Sequence, residues 1–233
     1  MHNYSVRCGG SPRTCTFALL KDEHMSRARK AAFTGVLFFT YLAVYWLIQD
    51  FIDSSKVDYL IPLDNAIPFL PEFAWIYHTL AFGIFVVMVL LIQDKVLFMR
   101  TFWACLLAAV LMSIIHMIWP AIYPRQEFAA TNLSELLVKF TREIDGASNT
   151  FPSGHVAFSW LMFIAVCKSK VSKINRGLTS LFLLWAIGVS LSTLVIKQHF
   201  VADVFSGIAT AFLSFYVAGL FVGRQRNLTS NYC

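Results

Sequence analysis

Charge is what this chain has least of. Asp, Glu, Lys and Arg make up 14% of its 233 residues, against 58% hydrophobic side chains. That scarcity excludes an ordinary solvated globular surface, and the mean hydropathy of +0.64 is that of a membrane protein. Cysteine is sparse too. The five residues lie at 8, 15, 105, 167 and 233 with no CxxC pair, which argues against a zinc site or a disulfide framework. No Cys, His, Asp and Glu cluster has metal-ligand spacing, so neither a metal nor another cofactor is expected. Internal repeats and low-complexity segments are missing as well. The net charge of +6 invites a nucleic-acid reading, but the basic residues cluster beside apolar runs. They point to membrane topology and away from nucleic acid.

What is present is a series of uncharged runs: 31–49, 73–93, 101–119, 151–167, 177–196 and 204–223. As a helix each can cross a hydrocarbon core of about 30 Å, the fourth only just. Its length also fits a helix buried inside a bundle. The expected fold is therefore all-α, a polytopic bundle of six transmembrane helices. Residues 1–30 read as a disordered basic tail, 31–223 as the membrane domain and 224–233 as a second tail. The first thirty residues do not resemble a signal peptide, since no small-residue cleavage site follows the apolar run. Met25 is an alternative start. Lys95 and Arg100, then Lys168, Lys170, Lys173 and Arg176, then Arg224 and Arg226 flank alternate runs. Their placement predicts both termini in the cytoplasm and the loops 120–150 and 197–203 on the outer face.

Both outer loops end in a histidine motif. Phe151–Trp160 reads FPSGHVAFSW, and Ser192–Asp203 reads STLVIKQHFVAD. Pro152 suits the first turn of a helix, Gly154 allows close approach of a ligand, and a helix N-terminus favours an anion. His199 and Asp203 are one helical turn apart, so the carboxylate can hold the imidazole. Pro-Ser-Gly is also ordinary turn composition, and a His–Asp pair also fits a helix cap. His78 and His116 sit alone on apolar helices, where an interhelical hydrogen bond is the ordinary role; His116 also lies near the outer end. Lys139 and Arg142, in the amphipathic piece LSELLVKFTREI, read as a solvated face, and Pro62, Pro68 and Pro71 as a stiff interfacial lip beside Asp64. No span carries a charge at its middle, which argues against an ion-coupled transporter.

PSGH followed by S-x6-H-x3-D resembles the type-2 phosphatidic acid phosphatase superfamily of membrane lipid phosphatases and phosphotransferases, over residues 57–215. The segment Tyr59–Tyr77 and the form KQHFVAD are similar to its inositol-phosphorylceramide synthase-like branch. The resemblance implies a metal-free reaction on a lipid phosphate through a phosphohistidine. The expected location is a bacterial inner membrane, in a multi-pass protein whose loop charges put the site on the outer face. The resemblance makes His199 the nucleophile, Asp203 its orienting partner and His155 the general acid. Ser153 and the Gly154 N–H hold phosphate oxygens. The family's first motif, a Lys followed after six intervening residues by Arg-Pro, survives only as Arg125; Ile118 replaces the Lys and Gln126 the Pro. Thr193 stands where most members carry Arg. Phosphoryl transfer needs positive charge around three oxygens, so Lys197 and Arg125 are expected to bind the phosphate. The rival from another class is a transporter or scaffold without catalysis.

Overall fold

The computed structural model describes residues 25–51, 60–125 and 127–231. The described residues are helical apart from loops and caps. We number the helices α1 (Arg27–Phe51), α2 (Pro62–Ala66), α3 (Pro71–Leu91), α4 (Lys95–Ile118), α5 (Leu133–Ile144), α6 (Gly154–Lys168), α7 (Lys170–Ile174), α8 (Arg176–Val195) and α9 (Val201–Asn231). Short polar side chains start several of them. Asp94 accepts from Leu97 N at the head of α4, Asn132 from Glu135 N at α5, and Asn175 from Leu178 N at α8. Helix α3 opens with a 3₁₀ turn at Pro71–Phe73 and closes as a π-helix over Val86–Leu91.

Among the described residues, five helices are long and apolar enough to cross a membrane: α1, α3, α4, α8 and α9. The run expected as a fourth span is instead the 15-residue α6. Pro152 and Ser153 start it late, and Lys168 and Ser169 end it. At about 1.5 Å per residue it extends roughly 22 Å, less than a 30 Å core. It is the hub of the bundle, packed on α3, α4, α8 and α9. Val156, Ala157, Leu161, Met162 and Ala165 are fully buried, so it is apolar all round because protein rather than lipid surrounds it.

The sequence boundaries shift at both ends. Helix α1 begins at Arg27, so residues 27–30 belong to a helix and not to a tail. Lys30 is buried, and its ammonium donates to the Ile92 carbonyl at the end of α3. Residues 1–24, with most of the expected N-terminal tail, lie outside the described residues. Helix α9 continues past residue 223 to Asn231.

Candidate functional site

The loop between α4 and α6 folds back on itself. Tyr123 N donates to Ala147 O (3.0 Å), and Thr150 N donates to Ala121 O (3.4 Å). This strap presents the Thr150 carbonyl to the turn between α8 and α9. There His199 is buried, with Nδ1 2.9 Å from Thr150 O and 3.1 Å from Asp203 Oδ2. A carbonyl only accepts, so Nδ1 is assigned the ring proton, and the neutral ring keeps its lone pair on Nε2. Asp203, fully buried, is itself fixed by Phe200 N, which donates to Oδ2 at 2.9 Å. Ser153 N donates to Asp203 O at 3.2 Å, tying the start of α6 to the first turn of α9. Gly207 permits this approach: a Cβ there would lie 2.8 Å from Ser153 O.

The two histidine motifs meet at one cavity of about 290 Å³. His155 and His199 line it with Gly154, and so do His78 and His116. Its far end runs between α1, α3 and α4 to apolar walls at Met88 and Cys105. No lysine or arginine is among the described residues that line it. His78 donates from Nε2 to Thr141 Oγ1 at 2.8 Å, since that hydroxyl gives its own proton to Leu137 O. His116 Nε2 faces Pro152 O at 3.4 Å. Both therefore make the interhelical or loop bonds expected of them while also facing the cavity.

Asp145, which the sequence did not single out, stands at the same end. Tyr45 donates to its Oδ1 and Tyr77 to its Oδ2. The Tyr77 ring stacks on the His155 imidazole, with centroids 3.8 Å apart and planes at 21°. Burial pushes the Asp145 carboxyl up, but the nearby His155 imidazole and the two phenol hydroxyls outweigh it and hold it below its usual range. The signal for Asp145 lay in α1 and α3: a phenol buried in an apolar span requires an acceptor.

The remaining expected site residues lie behind the cavity wall. Ser153 is buried, and its Oγ accepts from Val156 N at 3.5 Å as the cap of its own helix. Arg125 donates to the carbonyls of Arg142 (3.2 Å), Asp145 and Gly146 (both 2.7 Å) and to Gln198 Oε1. It thus sits at the negative end of α5. Lys197 donates to Asp64 O at 2.8 Å and Ile67 O at 2.5 Å, closing the end of α2. Asp64 in turn caps α9, accepting from Val201 N at 2.8 Å. So the lip 62–71 is ordered by Asp64 and Lys197, and the N-terminus of α6, unlike that of α9, opens on the cavity. Arg142 is half-buried, and its guanidinium lies 5.0 Å from the Phe128 ring centre.

A family model described as the PAP2 superfamily matches residues 64–217, from the lip to the last helix. It includes both histidine motifs and leaves out α1, which brings Tyr41 and Tyr45 to the cavity. No curated protein matches the chain.

Proposed function

This chain belongs to the PAP2 superfamily, the group its motifs resemble, and from that premise we propose that it is a membrane lipid phosphatase working through a phosphohistidine. The observation that carries the reading is His199: two acceptors hold Nδ1, leaving Nε2 as the lone pair in a cavity that His155 shares. In the first step a bond forms between Nε2 and phosphorus while the bond to the ester oxygen breaks. The leaving oxygen takes its proton from His155. In the second step water attacks, His155 takes a proton back, and inorganic phosphate leaves with His199 restored. Asp203 orients His199. Ser153 holds the first turn of α6, and the Gly154 N–H faces the phosphate. Arg125 and Lys197 act through their field and through the carbonyls they brace, not as first contacts. The apolar end of the cavity takes the lipid chain. No step calls for a metal, and no group of His, Cys, Asp and Glu suited to one occurs among the described residues.

We read α6 as a sixth, shortened crossing, with the basic ends of α4, α7 and α8 in the cytoplasm and the histidines on the outer face. A second outcome, transfer of a phospho-head group to a lipid or sugar hydroxyl as in the inositol-phosphorylceramide synthase-like branch, is favoured by one observation. The cavity lining has no lysine or arginine, which suits a singly charged diester better than a doubly charged monoester. The test is turnover of lipid phosphates by the purified protein in excess EDTA, with and without an alcohol acceptor. Phosphate release without acceptor supports the phosphatase, and a new ester supports transfer. Activity surviving in His199→Ala, or needing added magnesium, contradicts both. A transporter or scaffold predicts that His155 and His199 are dispensable.

A further inference from the structure

Asn149 lies in the strap, directly before the residue whose carbonyl holds His199. Its backbone is left-handed, φ 64°, where side chains other than Asn and Asp are seldom found. It is 3% exposed. Neither its Nδ2 nor its Oδ1 has a partner among the described residues, yet the residue lines the cavity with His155 and His199. Buried carboxamides are almost always bonded, so one left open in a cavity calls for a reason. The cavity supplies that reason. Charge spreads over three phosphoryl oxygens during transfer, and no lysine or arginine lines the space to meet it.

We propose that Asn149 is a substrate-binding residue, its Nδ2 donating to a phosphoryl oxygen while His199 attacks the phosphorus. The dipeptide 149–150 then holds both reactants, Thr150 through its carbonyl on His199 Nδ1 and Asn149 through its amide on the group attacked. The inference rests on the proposed phosphoryl transfer.

Asn149→Gly separates this role from a conformational one. Glycine adopts a left-handed turn without strain, so a residue needed only for the turn is replaced by glycine with no loss. The expected result is a thermal midpoint in detergent equal to or above that of the unsubstituted protein. With a lipid phosphate, kcat falls about a hundredfold or more, and KM changes less. Asn149→Asp, close in shape but without the donor, loses at least as much and serves as the second variant should glycine not fold. Full kcat in folded Asn149→Gly or Asn149→Asp overturns the inference. His199→Ala run alongside tells the two levels apart. Turnover that depends on His199 but not on Asn149 defeats this inference alone. No His199-dependent turnover in the unsubstituted protein defeats the reaction and the inference with it.

Discussion

A single carboxylate joins three elements at the site. Asp145 ends α5, takes hydroxyls from α1 and α3, and shares Tyr77 with His155. Its carboxyl lies below the ordinary range, so it stabilises the folded protein above the unfolded value near 4, and that stability is lost as pH falls through the lower folded value. Asp145→Asn should therefore cost about 1.5–3 kcal/mol near neutral pH, the worth of hydrogen bonds to a charged group, and the gap should narrow in acid. Thermal unfolding in detergent at neutral and acid pH checks this; a gap independent of pH contradicts it. The His199–Asp203 pairing was legible because its spacing is local. Asp145 was not, since its partners come from helices 100 and 68 positions away. Lys197 misled for the same reason. In sequence it is a free loop cation, whereas in the fold its ammonium meets carbonyls 133 and 130 positions back.

Helix α6 positions both histidines, and its contact with α9 depends on one missing side chain. Gly207 faces Ser153 O and Val156, and the first of these is backbone, which does not swing aside. Gly207→Ala should push the first turns of α6 and α9 apart. Overpacking of this kind costs about 1–3 kcal/mol. It should also impair turnover more than the same change at Gly223, where a Cβ would meet nothing within 4 Å. Equal activity and stability in the two variants would show that the contact is slack. The helices themselves were legible, since five expected runs reappear with ends shifted by a few residues. The sixth was legible only as an apolar run. Hydropathy does not distinguish lipid from neighbouring helices as the source of burial, and α6 is buried by helices.

Across the whole molecule, Asp94, Lys168, Lys170 and Lys173 gather around a pocket at one end of the helices, while His155, His199 and Asp145 line the cavity at the opposite end. A reporter fused after Arg226 should read as cytoplasmic, and a tag inserted near Asn132 should be labelled from outside; reversed labelling moves the site to the cytoplasmic face. The central claim is that phosphate passes through His199, and His155→Ala offers the way to catch it there. An activated aryl phosphate needs no proton on its leaving group, so the first step survives without His155, while the second loses its base. Rapid acid-free quenching followed by peptide mass spectrometry should then find close to one phosphate per chain, base-stable and acid-labile, on the peptide that contains His199. The same variant carrying His199→Ala should carry none. Aryl alcohol released while His199 stays unmodified, or phosphate found on another residue, would contradict the account.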